Sequence, residues 1–231
     1  MVWHAVSGEE LVVFSAHEEP IRHAAWNGDG SRIVSSSKTG ARVWDAVTGQ
    51  ELGHLSPRGP YGTAVTFAAW AGDDARIVTA GLGAASVWHL PVIDPSRERG
   101  VEPEELVVHT HSAPGAEIGA ITHVSWASEG GRLLSLSTNN TAEIWDADNG
   151  EGLTLLIGHT DAVRHGAWSP DDALVATGSD DGTARVWEAA SGLEVARLTG
   201  HRGGRQPRGM GSSWRPFGHG QCGRHRSGLG H

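Results

Sequence analysis

Tryptophan recurs along this chain of 231 residues in two interleaved sets with nearly constant intervals. Each member of the first set follows valine or isoleucine at the end of a short β-like run; the members are Trp3, Trp44, Trp88, Trp145 and Trp187. Each member of the second set follows alanine or serine; these are Trp26, Trp70, Trp126 and Trp168. Within each set the intervals have similar lengths except for one longer interval, which falls in the same part of the chain in both sets. Because both sets keep the same spacing, one unit is repeated, with the period of about 40–45 residues that is typical of four short strands.

The most regular unit spans residues 158–199 and contains four predicted strands. The strands are expected at 162–168, 174–179, 183–187 and 193–198. Between them lie turns rich in Ser, Pro, Asp and Gly, residue types that accept turn and left-handed conformations. Short strands separated by such turns predict an all-β fold.

This unit resembles a WD repeat, because it begins with Gly158-His159 and its third strand ends with Val186-Trp187-Glu188. The resemblance covers residues 1–201, which are similar to WD-repeat proteins of the bacterial type. It implies a partial β-propeller of four four-stranded blades plus a two-stranded remnant. The expected segments are a remnant at 1–15 and blades at 16–57, 58–109, 110–157 and 158–201, with an inserted loop at 91–104. In this interpretation the chain begins inside a third strand.

The resemblance also implies a buried hydrogen-bond chain of four side chains, the structural tetrad His159, Ser179, Asp181 and Trp187. An indole N–H only donates, so a buried tryptophan needs an acceptor such as a hydroxyl. The same residue types could form a Ser-His-Asp hydrolase triad. We favour the structural role because the elements recur in unit after unit.

Three other units keep only part of the expected tetrad. The retained residues are His17, Ser36 and Trp44 in the first, Trp88 in the second, and Ser137 and Trp145 in the third. Lys38, Leu82 and Asn139 stand at the aspartate place, and Ala80 at the serine place of the second unit. We therefore expect these units to depend more on apolar packing.

The composition changes after residue 201. Residues 1–201 carry 12 basic and 27 acidic side chains, whereas residues 202–231 carry six arginines, nine glycines, no acid and Cys222, the single cysteine of the chain. If the implied codons are read one base ahead, Met210-Gly211 yields a tryptophan codon one repeat length after Trp168, and another repeat follows. We expect the segment from about residue 203 onward to be out-of-frame and disordered. If it is genuine, its basic character favours nucleic-acid binding.

No catalytic, cofactor or metal site is expected from the remaining motifs. His109 and His111 could supply two metal ligands, but no Cys or carboxylate set accompanies them in sequence, and solvated histidines are favoured. Cys222 with His219 and His225 resembles a metal cluster, but it falls within the suspected out-of-frame segment. No glycine-rich phosphate loop is present. The sequence therefore predicts a protein that is not an enzyme.

The expected function is a protein–protein interaction platform with an unidentified protein partner. The resemblance implies that partner-facing residues lie early in the first strand of each blade, or just before the aspartate place in the turn between its second and third strands. The candidates at these places are Arg22, Ser37, Thr66, Thr122, Thr138, Arg164 and Asp180. An alternative is the sensor or scaffold region of a larger signalling enzyme, such as a protein kinase or a signal-transducing ATPase.

No apolar run is long enough to span a membrane as a helix, and no basic leader precedes the apolar stretch at 11–14, so a cytoplasmic location without membrane contact is expected. No small-molecule substrate is evident.

Overall fold

The computed structural model describes residues 2–57, 64–90, 103–111 and 119–200. These ranges form eighteen β-strands and no helix, in one two-stranded and four four-stranded sheets. The prediction of an all-β fold with four four-stranded sheets is therefore confirmed. The segment 202–231, most of the expected loop 91–104, and the cluster around Cys222 lie outside the described residues.

We number the four-stranded sheets in chain order, and the two-stranded pair β1–β2 precedes them. The pair contains β1 (Val2–Trp3) and β2 (Glu10–Val12). Sheet 1 contains β3 (His23–Trp26), β4 (Arg32–Ser37), β5 (Gly40–Asp45) and β6 (Glu51–Leu55). Sheet 2 contains β7 (Val65–Trp70), β8 (Arg76–Gly81), β9 (Ala84–His89) and β10 (Glu104–Thr110). Sheet 3 contains β11 (Ile121–Trp126), β12 (Arg132–Ser137), β13 (Thr141–Asp146) and β14 (Gly152–Ile157). Sheet 4 contains β15 (Val163–Trp168), β16 (Leu174–Ser179), β17 (Thr183–Glu188) and β18 (Glu194–Thr199).

Within each sheet, consecutive strands pair antiparallel in chain order. Tight turns make this possible: Gly182 adopts a φ of 80° between β16 and β17, and Asp172 a φ of 53° between β15 and β16. Aspartate tolerates this left-handed conformation better than most residues with a Cβ atom. Short turns therefore join most consecutive strands; in sheet 2, residues 90–103 separate β9 from β10.

The first strands bring neighbouring sheets together: β3 contacts β7, β7 contacts β11, and β11 contacts β15. Trp70, Trp126 and Trp168 of the second tryptophan set lie at these contacts. Trp126 Nε1 donates to the Ala69 carbonyl of sheet 2 (3.4 Å), and Trp168 Nε1 donates to the Ser125 carbonyl of sheet 3 (3.3 Å). A guanidinium stacks 5.1 Å from each of these two indoles, Arg76 on Trp126 and Arg132 on Trp168. The same interface is thus built twice, which explains the constant spacing.

Four tryptophans of the first set are buried inside the sheet stack. Trp44, Trp88, Trp145 and Trp187 each expose less than a twentieth of their surface and pack with aliphatic residues of the second and third strands. Complete burial of one large apolar side chain stabilises a fold by roughly 1.5–3 kcal/mol. These residues therefore form the core of each repeat.

Candidate functional site

Sheet 4 contains a closed hydrogen-bond chain around Trp187. Trp187 Nε1 donates to Thr177 Oγ1 (2.8 Å), and the same hydroxyl lies 2.8 Å from His159 Nε2. His159 Nδ1 lies 2.8 Å from Asp181 Oδ2. One proton arrangement satisfies every member: the indole donates to the hydroxyl, the hydroxyl donates to Nε2, and Nδ1–H donates to the carboxylate.

Asp181 accepts several further hydrogen bonds. Its carboxylate receives the hydroxyl and backbone N–H of Thr183 (2.7 and 2.8 Å) and the backbone N–H of Thr160 (3.1 Å). Burial alone would raise the pKa of Asp181, but the hydrogen bonds from Thr183, His159 and Thr160 outweigh it and hold that pKa well below its usual range. The carboxylate is therefore ionised at neutral pH.

The expected role of Ser179 in this tetrad was wrong, because Thr177 supplies the hydroxyl. Trp187 pairs directly with Val175 across the sheet, which makes Thr177 its diagonal neighbour on the same face. Ser179 lies two residues further along the strand, out of reach of the indole. Its hydroxyl instead donates to the Asp161 carbonyl (2.8 Å) and accepts the Asp181 N–H (3.1 Å).

Sheet 1 contains a shorter version of the same chain, again with a different serine. Trp44 Nε1 donates to Ser35 Oγ (2.7 Å), His17 Nε2 lies 2.7 Å from that hydroxyl, and His17 Nδ1 lies 3.0 Å from Ser37 Oγ. The predicted member Ser36 points to the opposite face, because side chains alternate along a strand. Ser37 stands in for the carboxylate, and Lys38 is exposed.

In sheet 2, one bond of this chain is present among the described residues: Trp88 Nε1 donates to Thr79 Oγ1 (2.8 Å). The serine place that was assigned to Ala80 therefore belongs to Thr79, one residue earlier. Leu82, expected at the aspartate place, is exposed.

Sheet 3 has a rearranged network in which Ser135 replaces the expected Ser137. Ser135 Oγ lies 2.8 Å from His111 Nδ1, while Trp145 Nε1 is buried without a hydrogen-bond partner among the described residues. Thr141 Oγ1 donates to Asn139 Oδ1 (2.7 Å) and lies 2.8 Å from His111 Nε2. Among the described residues, Ser137 Oγ accepts the Asn139 N–H (3.2 Å) and takes no part in this network.

The expectation that His109 and His111 are solvated was also wrong. His109 is 5% exposed and His111 is fully buried. Burial lowers the pKa of His111 to about 4, so its ring is neutral at pH 7. The His109 ring stacks on Trp145 with centroids 4.6 Å apart. The spacing of the two histidines could have indicated this burial. His109 and His111 are two residues apart and alternate with the same period as the buried Val107, so all three lie on the inner face of the sheet.

Sequence reasoning also missed a charge exchange in sheet 3. In sheets 1 and 4 an arginine of the third strand bonds a glutamate of the fourth, Arg42 with Glu51 (2.6 Å) and Arg185 with Glu194 (2.5 Å). Trp145 pairs with Gly152 where Trp44 pairs with Glu51, and Glu143 stands at the arginine place. Gly152 leaves space for the Glu143 carboxylate, since an added Cβ would collide with it.

The candidate partner-facing residues divide into three groups. Arg22 and Thr138 are exposed, and Arg164 pairs with Asp180 (2.8 Å) with both side chains about half exposed. Thr66 and Thr122 are half-buried and donate to carbonyls of the next sheet, Ile121 O (3.3 Å) and Val163 O (2.7 Å). Ser37 is buried against His17, so the expectation that it faces a partner was wrong.

A family model described as WD domain, G-beta repeat matches residues 8–45 and 150–188. Each match spans the last strand of one sheet and the first three strands of the next. The first match contains the hydrogen-bonded His17, Ser35 and Trp44, and the second contains the complete chain of sheet 4. A comparison with curated proteins gave no match. These two stretches of the chain are therefore WD repeats.

Proposed function

We propose that the protein is a non-catalytic platform for protein–protein interaction. WD repeats generally mediate such interactions or scaffolding. The buried position of the only complete tetrad among the described residues supports the non-catalytic part of the proposal. The side chains of His159 and Asp181 are 2% and 4% exposed and Thr177 is buried, so these groups are out of reach of a substrate.

The observation that carries the proposal is an open cavity at one edge of sheet 4 with charged and polar side chains in its lining. This cavity, about 290 Å³ in volume, is lined by Arg164, His165, Ser179, Asp180 and Thr183 among others. It lies where first strands begin and second strands end, and we name this border of the four sheets the entry edge. Arg22 and Thr138 lie at the same edge of sheets 1 and 3. Exposed arginines that are accompanied by polar groups are common at protein interfaces.

The test is an affinity capture from the native host with the full chain as bait. We expect specific proteins to be retained by the wild type and lost from the double variant Arg22→Ala/Arg164→Ala. Arg197→Ala is the matched control, because Arg197 lies on the outermost strand of sheet 4, away from the entry edge. For any identified partner, affinity should fall at least tenfold in the double variant only. A partner that binds the double variant as tightly as the wild type overturns the assignment of the entry edge.

A further inference from the structure

Three buried side chains direct their polar atoms toward one another between sheets 2 and 3. His109 Nε2 lies 3.2 Å and His111 Nδ1 3.8 Å from Glu143 Oε2, and one atom of each residue lies within 4.8 Å of the others. None of the three residues exposes more than a tenth of its surface. A buried carboxylate requires compensation by a positive charge or by donors.

The surrounding hydrogen bonds determine which ring nitrogens carry protons. Gly150 O can only accept, so His109 Nδ1, 3.0 Å away, carries a proton. Asn139 Oδ1 also accepts the Thr141 N–H (3.3 Å), which identifies it as an oxygen. The Thr141 hydroxyl donates to this oxygen and therefore accepts from His111 Nε2. In a neutral ring, His109 Nε2 thus presents a lone pair on the side of the Glu143 carboxylate. The lone pair of His111 Nδ1 accepts from the Ser135 hydroxyl, 2.8 Å away, and the same nitrogen lies 3.8 Å from Glu143 Oε2.

The related sheets show what this arrangement replaces. In sheets 1 and 4 a guanidinium at the place of Glu143 neutralises the glutamate of the fourth strand. Sheet 3 reverses this order: the carboxylate lies on the third strand, Gly152 occupies the glutamate place, and two imidazoles approach from the end of β10. A cation held among these three groups would restore the local charge balance.

We propose that His109, His111 and Glu143 bind a divalent transition-metal ion of the zinc class. Two imidazole nitrogens and one carboxylate oxygen form a donor set that Zn²⁺ accepts. Zinc bonds of about 2.0–2.2 Å place tetrahedral ligand atoms about 3.3–3.6 Å apart. The observed separations need only small side-chain shifts to reach that range.

The outer contacts of the two imidazoles support this proposal. Metal-bound histidines usually donate the other ring N–H to a carbonyl, carboxylate or water, which fixes the tautomer and the orientation of the ring. Here Gly150 O and Thr141 Oγ1 hold those positions. When His111 Nδ1 binds the ion, Ser135 Oγ is released from it and can accept the N–H of Trp145, as Ser35 accepts that of Trp44. The ion joins sheet 2 to sheet 3 and stabilises the fold.

The test is a titration of the chelator-treated full chain with ZnCl₂ by calorimetry and with CoCl₂ by absorption spectroscopy. We expect one ion per chain, visible bands of a low-symmetry Co²⁺ site, and a higher Tm with zinc. Glu143→Gln is nearly isosteric, and His109→Gln removes a different ligand. Each variant, shown to be folded by circular dichroism, should bind at least tenfold more weakly.

Two controls separate this site from other histidines. His54→Gln alters an exposed histidine of sheet 1, and the triple variant His219→Gln/Cys222→Ser/His225→Gln removes the C-terminal cluster. Both should keep the wild-type affinity and spectrum. The proposal is overturned if the folded wild type binds no ion, if Glu143→Gln and His109→Gln bind as tightly as wild type, or if binding disappears in the triple variant.

Discussion

At the scale of single residues, one hydroxyl accepts the indole N–H of three of the four buried core tryptophans. Trp44, Trp88 and Trp187 donate to Ser35, Thr79 and Thr177, which occupy the same register position on the second strands. In sheet 4 this hydroxyl also connects the indole to His159 and, through it, to Asp181. A fully satisfied buried network of this kind holds its members in one arrangement.

Replacement of Thr177 by valine therefore should destabilise the protein more than replacement of Ser179 by alanine. Thr177→Val keeps the volume but leaves the Trp187 N–H and His159 Nε2 without their partner. An unsatisfied buried group costs about 1–3 kcal/mol. We expect that loss in the free energy of unfolding measured with urea, while Thr177→Ser, which restores the hydroxyl, should lose less. Equal losses in Thr177→Val and Ser179→Ala would contradict the assignment of the hydroxyl.

The ionisation of Asp181 makes a separate prediction about pH. Its pKa is lower in the folded chain than the value of about 3.9 in an unfolded one, because hydrogen bonds from Thr183, His159 and Thr160 outweigh the effect of burial. A group of this kind stabilises the fold above its unfolded pKa and loses that contribution as the pH falls toward the folded pKa. The free energy of unfolding should therefore decline as the pH falls below about 5.

Asp181→Asn tests this explanation. The variant should be less stable than wild type at pH 7 and should show a shallower decline on acidification, as measured by denaturant unfolding over a pH series. Glu151→Gln, which changes an exposed carboxylate immediately before β14, serves as the control and should retain the wild-type profile. A variant whose decline matches that of the wild type would assign the acid sensitivity to other carboxylates.

At the scale of elements, the strands were largely predictable and their registers were not. The four strands that were expected in residues 162–198 occur as β15–β18, with ends shifted by at most one residue. The tryptophans and the turn residues carry this information locally. The choice between Thr177 and Ser179, or between Ser35 and Ser36, depends on which residue lies diagonal to the tryptophan. That relation is set by the pairing register and by turn length, not by residue type.

The buried set of His109, His111 and Glu143 was missed for a related reason. The third member is contributed by β13, in the sheet that follows the one containing the histidine strand, so local spacing shows only two ligands. The unusual position of Glu143 is visible only when the registers of the sheets are compared. Glu143 then occupies the place of Arg42 and Arg185, and Gly152 occupies the place of the glutamates that pair with those arginines.

Turn aspartates attach neighbouring sheets at their ends, and Asp172 makes this attachment testable. Its carboxylate accepts the backbone N–H (2.9 Å) and the hydroxyl (2.5 Å) of Ser128 in sheet 3, and its φ is 53°. Asp172→Ala should lower the free energy of unfolding by about 2–3 kcal/mol, because it removes two bonds and strains the left-handed backbone. Asp172→Asn, which tolerates that backbone, should lose less.

Hydrogen exchange provides the matching local measurement. In Asp172→Ala the backbone amides of the turn around Ser128 should exchange faster than in the wild type. Asp171→Ala is the control, since Asp171 is exposed and its side chain bonds only within its own turn. If Asp171→Ala and Asp172→Ala are equally destabilised, the contact between the sheets does not depend on this aspartate.

At the scale of the whole molecule, the four sheets form a series in which each sheet packs on the preceding one. Trp70, Trp126 and Trp168 lie at contacts with the sheet before their own and are half-buried or buried. Trp26 occupies the equivalent place in sheet 1, where only the two-stranded β1–β2 pair precedes it among the described residues, and it is 51% exposed. The described residues therefore include an apolar surface at this end of the series.

This surface should cause the purified chain to associate. Trp26 lines a cavity of about 290 Å³ together with Phe14, Ile21 and Ile33, and contiguous exposed apolar surface promotes association. Sedimentation velocity should show larger species as the protein concentration rises. Trp26→Gln should reduce that association while changing the free energy of unfolding by no more than about 0.5 kcal/mol, as expected for an exposed position. Trp70→Gln should instead destabilise the fold by about 3 kcal/mol, because Trp70 is buried in the core between sheets 1 and 2. If Trp26→Gln associates as strongly as the wild type, the contact between copies lies elsewhere on the molecule.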